Sequence, residues 1–261
     1  MFFYSFTLYN ERRLFWRFET LKSTSENKQL KQAAGKAAAL LVKDGMTVGL
    51  GTGSTVVFLI EELGQMVKNG LNIKGVPTSF QSKAICYKAG IPLIEPGMLD
   101  RIDLAVDGAD EVTRSLDAIK GGGAAHAIEK IIAVMADEFV IIADETKIVD
   151  HLGLSFPVPV EVLQQAAGFF LKSVRKFGAN PIIRTGSGKD GPIITENGNF
   201  VIDLHFDNAQ DMRQMDFMIK SIPGVVETGL FLGIAKKVII ASQDGITILA
   251  SKTMKNINSG E

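Results

Sequence analysis

The 261-residue chain has a single cysteine, Cys86, three histidines and one tryptophan. One thiol excludes an internal disulfide framework and any zinc site built on cysteines alone, so Cys86 reads as a small buried hydrophobe. No apolar run approaches the roughly 18 to 20 residues that cross a bilayer. A formal net charge of -1 lacks the clustered Lys/Arg excess that nucleic-acid binding demands. These absences predict a soluble, cytoplasmic protein with neither nucleic acid nor membrane as partner. A small anion needs only local positive charge and stays within reach.

What is present is a hydrophobic content of 46%, enough for one large domain or two unequal ones. Residues 1–22 hold eight aromatics, among them Trp16 and two of the three tyrosines. Arg12, Arg13 and Arg17 follow the aromatic stretch rather than preceding it, and Glu11 and Glu19 interrupt it, which suits neither a secretory signal nor a transit peptide. Residues 1–25 are expected to be an extension outside the main fold. The alternative is an amphipathic segment for a membrane surface or partner.

From Ser23 to Glu26 a capping-box pattern opens a helix carrying Leu30, Ala33, Ala34, Ala37 and Leu41 and stopping at Gly45. Strands are predicted near residues 46–50, 73–76, 91–94 and 102–106 and at "FVIIA", alternating with helices over 55–68, 80–89 and 124–136. That alternation predicts an α/β fold, a parallel sheet with helices on both faces, whose ligands bind beyond the carboxyl ends of the strands. After "SFPVPVEV" the rhythm changes. A helix over 162–177, strands "PIIRT", "GPIIT" and "FVIDLHF" with an Asn-Gly turn at Asn197 and Gly198, a helix over 209–219 and a strand at 225–228 suit a small α+β domain of the split βαβ kind. "KKVIIAS" and "GITILA" read as two strands returning to the first domain.

Three stretches carry chemistry. "VGLGTGSTV" is a glycine-rich turn from strand to helix, where backbone N–H groups and the helix dipole favour an anion, and Thr52, Ser54 and Thr55 add hydroxyls. It lacks the lysine of a Walker A loop and the third glycine of a dinucleotide fingerprint, so a phosphate on a small molecule fits better than a nucleotide. "VDGADEV" brings Asp107 and Asp110 to the end of a strand. Asp110 and Glu111 otherwise read as solvated or capping acids, and Asp117 as solvated without a partner. No second acidic or histidine cluster completes a metal site. In "KGGGAAHAIEK" three glycines meet a helix start beside Lys120. Glu129 leans back toward them on the Ala125/Ile128/Ile132 side, while His126 reads as structural. Phosphate donors, a lysine and a carboxylate base, with no sign of a cofactor, suit proton transfer on a phosphorylated sugar, such as aldose-ketose isomerisation through an enediolate.

The blocks "GLGTGST", "VDGADE", "IKGGGAA...EKI", "IADETK", "FPVPVEV" and "PGVVETGLF", in this order between Lys28 and Lys252, closely resemble the A-type ribose-5-phosphate isomerases. The resemblance implies a Rossmann-like domain (residues 26–154 and 229–261) with an inserted, smaller ferredoxin-like domain (155–228). It implies metal-free interconversion of ribose 5-phosphate and ribulose 5-phosphate in the pentose phosphate pathway, without cofactor, by a homodimer or homotetramer. It makes Glu129 the base, Lys120 the group that stabilises the enediolate oxygen and Asp107, with Asp110 beside it, the helper in ring opening and hydroxyl proton transfer. The implied substrate site comprises Thr52, Gly53, Ser54, Thr55, Asp107, Gly108, Ala109, Asp110, Lys120, Gly121, Gly122 and Gly123, with Lys147 as a further binding lysine and Lys31 at a phosphate-contacting position. The rivals are a non-catalytic sugar-phosphate sensor and a coenzyme A transferase-like enzyme with a glutamate nucleophile.

Overall fold

A computed structural model describes residues 25–186 and 188–251. The aromatic N-terminal segment, Ser23 of the expected capping box and Lys252 lie outside them. Helix α1 (Ser25–Ala39) leads to β1 (Thr47–Leu50), α2 (Ser54–Lys68), β2 (Lys74–Pro77), α3 (Phe80–Ala89), β3 (Ile102–Gly108), the short β4 (Glu111–Val112) and β5 (Ala118–Ile119), α4 (His126–Met135) and β6 (Ala136–Asp144). Then come β7 (Val158–Val162), α5 (Ala167–Val174), β8 (Asn180–Ile183), the paired β9 (Thr185–Gly186) and β10 (Lys189–Pro192), β11 (Phe200–His205), α6 (Met212–Lys220) and β12 (Val225–Thr228). The described residues close with β13 (Leu230–Phe231), β14 (Lys237–Ser242) and β15 (Gly245–Ala250).

Six strands form one sheet in the order β15-β14-β6-β3-β1-β2. All neighbours are parallel except β14 and β15. The strands alternate between two cores. Val140, Ile142, Ile239 and Ala241 pack under α1, α2 and α3, while Phe139, Ile141, Val238 and Ile240 pack with Ile132 and Ala133 of α4 on the other face. In α2 the buried Val56, Leu59, Ile60 and Leu63 recur at helical spacing, which fixes the face it turns inward. The winding reverses between β1 and β3, because β2 lies to one side of β1 and every later strand to the other. Such a switch point parts the loops beyond two neighbouring carboxyl ends and opens a crevice there. The expected strand at 91–94 is reduced to one bridge, Leu93 to Gly75.

The second sheet has the order β12-β7-β11-β8, entirely antiparallel. With α5 and α6 it gives a βαββαβ sequence, the ferredoxin-like arrangement. Its opening strand corrects the sequence reading. β7 contains Pro159, and prolines in a run argue against an interior strand. Here Pro159 lies past the last residue paired with β12, Val160, and its carbonyl accepts from Gly229 N–H at 2.6 Å. "GPIIT" is no independent strand: Gly191 and Pro192 close β10, and Ile194 makes a single bridge to Phe200.

Two further findings replace expected solvated acids with anchors. Glu111 is buried and accepts from the backbone N–H groups of Gly153, Ser155 and Phe156, where the chain leaves the large sheet. Asp117 accepts from Gly233 N–H at 2.7 Å and pairs with Arg213 of α6 at 3.1 Å. Both partners lie far along the chain, so no local pattern announces them.

Candidate active site

The glycine-rich turn follows β1 at the switch point. Its first N–H donors are already engaged: Thr52 N–H donates to Asp107 Oδ1 at 3.1 Å and Gly53 N–H to Gln81 Oε1 at 3.2 Å. Thr52 Oγ donates to Ser79 Oγ at 2.6 Å and shares a 2.8 Å bond with Thr78 Oγ. Thr52 is therefore a strut, whereas the sequence suggested a free donor. The first helical bond of α2 runs from Val57 N–H to Gly53 O, and among the described residues no side chain caps the helix. The N–H groups of Ser54, Thr55 and Val56 are thus left for a ligand, at the positive end of the helix dipole.

At the carboxyl end of β3, where Asp107 is the penultimate residue, lies a buried group of three charges. Lys120 Nζ is 2.9 Å from Asp107 Oδ2 and 3.0 Å from Glu129 Oε2. It also donates to Gly108 O at 2.8 Å. Asp107 accepts two backbone bonds besides, from Thr52 and from Gly108 at 2.7 Å. Gly51 makes this packing possible, since a β-carbon there would occupy the space of the Asp107 carboxylate. Glu129 has Lys120 as its sole polar side-chain partner among the described residues.

One cation facing two buried carboxylates leaves one negative charge in excess. Burial raises both carboxyls, and the Asp107 charge pushes Glu129 up further, to about 8. The excess proton belongs on Glu129, because Asp107 has two N–H donors holding its charged form. Burial opposes the Lys120 charge, but Asp107 and Glu129 outweigh it and hold that ammonium above its ordinary range. His126 is different. Burial, then the Lys130 charge, lowers it to about 3, and its ring Nε2 lies 3.3 Å from Glu227 O, so it is a neutral structural donor.

The glycines after Lys120 form the third wall. Gly121 has φ 114° and would place a β-carbon against the His126 ring, so only glycine fits. Gly122 N–H donates to Asp110 Oδ2 at 2.8 Å. Arg184, the residue after β8, donates from Nη1 to Gly121 O at 2.7 Å and Gly122 O at 3.2 Å, while its Nε bonds Asp203 at 2.8 Å. The small sheet thereby grips a wall of the large one. Sequence reasoning missed Arg184, whose partner glycines lie 63 and 62 positions away.

These walls enclose a cleft of about 320 Å³. Lys31, Thr52, Gly53, Ser54, Thr55, Gly108, Ala109, Asp110, Lys120, Gly121, Gly122, Gly123, Glu129 and Lys147 line it. Asp107 lies behind Lys120 and is 2% exposed. Gln81 and Asp144 also line the cleft and were missed. The signal was available, since Asp144 closes β6 and Gln81 lies beyond the carboxyl end of β2 in the same sheet. Among the described residues no three His, Cys, Asp or Glu side chains are grouped to hold a metal ion.

The model of the family described as ribose 5-phosphate isomerase A (phosphoriboisomerase A) matches residues 74–245. A ribose-5-phosphate isomerase A of Thermosynechococcus vestitus is 47% identical over 215 residues, covering 82% of this chain and 91% of that one. The chain belongs to the ribose 5-phosphate isomerase A family. Solved members share the fold. Ribose 5-phosphate isomerase A from Methanocaldococcus jannaschii superposes with a TM-score of 0.82 at 42% identity, covering 86% of this chain and 99% of that one. A D-ribose-5-phosphate isomerase in complex with phospho-erythronic acid gives 0.83 at 43% identity, covering 85% and 98%. The match to the ribose 5-phosphate isomerase A family model runs from β2 through β14 and takes in the whole small sheet.

Proposed function

We propose that the chain interconverts ribose 5-phosphate and ribulose 5-phosphate through an enediolate, in the non-oxidative branch of the pentose phosphate pathway and without a metal ion. The observation that carries this is the Glu129-Lys120-Asp107 group, buried at one wall of a cleft whose other walls offer the start of α2 and Lys31. A phosphate seated at Ser54 and Thr55 leaves the sugar carbons to reach toward Lys120.

In the open-chain aldose, ionised Glu129 takes the proton from C2. The C–H electron pair becomes the C1–C2 double bond, and the carbonyl pair moves onto O1, where the Lys120 charge stabilises it. Glu129 returns the proton to C1 while O2 gives up its hydroxyl proton and O1 receives one, with Asp107 beside Lys120 as acid/base partner. The raised pKa of Glu129 makes it a stronger base than an exposed carboxylate, matched to neutral or mildly alkaline operation.

The proposal includes the boundaries 26–154 with 229–261 for the catalytic domain and 155–228 for the insert, a cytoplasmic location and a homodimer or homotetramer. Among the described residues no helix is long and apolar enough to cross a membrane. The test is conversion of ribose 5-phosphate by wild type and Glu129→Gln, before and after exhaustive chelation. Wild type should turn over in both conditions, and Glu129→Gln should lose about 10²-fold or more while still binding substrate. An inactive wild type that binds the sugar phosphate would favour the sensor instead.

A further inference from the structure

Gln81 stands at the second position of α3, beyond the carboxyl end of β2, half-buried and lining the cleft. Its carbonyl oxygen accepts the Gly53 N–H at 3.2 Å. On the far side of the same turn Asp107 accepts the Thr52 N–H. Two side chains, one from the helix that follows β2 and one from β3, therefore consume consecutive donors of the glycine-rich turn. A neutral amide differs from a carboxylate in one respect that matters here. Having given its oxygen to Gly53, Gln81 still has an NH₂ group with two donors, and no hydrogen-bond partner for that group occurs among the described residues.

The start of α2 and the side chain of Lys31 face the same cleft. We propose that Gln81 is a phosphate-recognition residue: its oxygen fixes Gly53 while its NH₂ donates to the substrate phosphate held by Ser54 and Thr55. This rests on the sugar-phosphate reading of the site. The side chain replaces the turn donor it occupies with one reaching further into the cleft. Among the four groups converging there, Gln81 is the one whose chemistry requires an amide: a carboxylate would hold Gly53 equally well and repel the ligand.

That asymmetry supplies the test. A carboxylate at position 81 keeps the acceptor for Gly53 and removes the donors, so Gln81→Glu separates a strut from a ligand contact, while Gln81→Met removes both. Inorganic phosphate serves as probe, by competitive inhibition of ribose 5-phosphate turnover and by calorimetry. For Gln81→Glu, the KM and the phosphate inhibition constant should both rise by about tenfold or more, because a charge-assisted bond is replaced by repulsion, with a smaller change in kcat. Near-normal constants for Gln81→Glu beside impaired Gln81→Met would make Gln81 a strut only and overturn the proposal. In the wild type, the Gln81 side-chain amide resonances should shift on titration with inorganic phosphate, and an unmoved pair would overturn it whatever the variants' folding. A wild type that binds phosphate through Gln81 yet does not isomerise ribose 5-phosphate would sink the functional reading and leave this contact standing.

Discussion

The Lys120 ammonium lies 3.0 Å from Glu129 Oε2, with both side chains only 4% exposed. The same ammonium serves Asp107 at 2.9 Å. A shared cation makes each carboxylate's ionisation depend on the other's, so a change at one should be read in the titration of its neighbour.

The pH profile of the reaction should carry that coupling. Protonated Glu129 cannot accept a proton from carbon, so the rate should follow its ionised fraction. With its pKa pushed up to about 8, kcat/KM should climb with pH and level off above that value. The substrate phosphate, with a second pKa near 6, gives a separate, lower limb. Asp107→Asn removes the neighbouring negative charge, so the upper limb should move to lower pH even as the rate falls. A limb that stays in place would remove Asp107 as a cause of the raised pKa.

Stability should bear the same signature. Folding moves the Glu129 carboxyl from 4.5 to about 8, so between those values the folded chain binds a proton that the unfolded chain has released. This contribution is favourable at low pH and declines as pH rises through the window. Glu129→Gln does not titrate there. Its melting temperature should gain on wild type as pH rises from below 4.5 to above 8; parallel melting curves across that range would contradict the assignment.

Gly51→Ala tests the seating of Asp107. The added methyl overlaps the Asp107 carboxylate, and such overpacking costs about 1–3 kcal/mol. The displaced carboxylate should release the Thr52 N–H and weaken its hold on Lys120. Turnover should drop well beyond the loss of stability, measured as kcat beside a urea titration. Full activity would mean that Asp107 need not sit where it does.

Arg184→Ala tests the grip of the small sheet on the glycine wall. Hydrogen exchange at residues 121–123 should accelerate, and kcat/KM should fall by up to about 10²-fold through misplacement of that backbone. Arg184→Lys keeps a positive charge but not the fork, so it should recover only part of the loss. Unchanged exchange would leave Arg184 as a partner of Asp203 within the small sheet and no brace for the glycine wall.

The large sheet was legible because its strands and helices alternate and each carries its own period, as in "FVIIA" or the buried Val56, Leu59, Ile60 and Leu63 of α2. The residues at its carboxyl edge were legible for a related reason, since the ends of β1 and β3 point to one crevice. Contacts between distant segments were hidden. Glu111 looked like one more loop acid until residues 42 to 45 positions later placed three N–H groups around it. β7 was hidden by Pro159, which argues against an interior strand unless the partner on its nitrogen side, here β12, stops short of it while β11 pairs on the other side. Thr52 kept its place in the cleft but changed its part, because neighbouring hydroxyls at Thr78 and Ser79 absorb it.

Glu111 grips the outgoing chain at residues 153–156, and the backbone of Lys120 grips the returning chain, its N–H donating to Gly229 O at 2.9 Å. Each knot is tied by the acidic stretch or the lysine that frames the crevice. Pruning the proposed insert to obtain a minimal isomerase would therefore unfasten the groups proposed to react, and a shortened gene joining residue 154 to 229 should encode a protein with its large sheet intact and its chemistry lost.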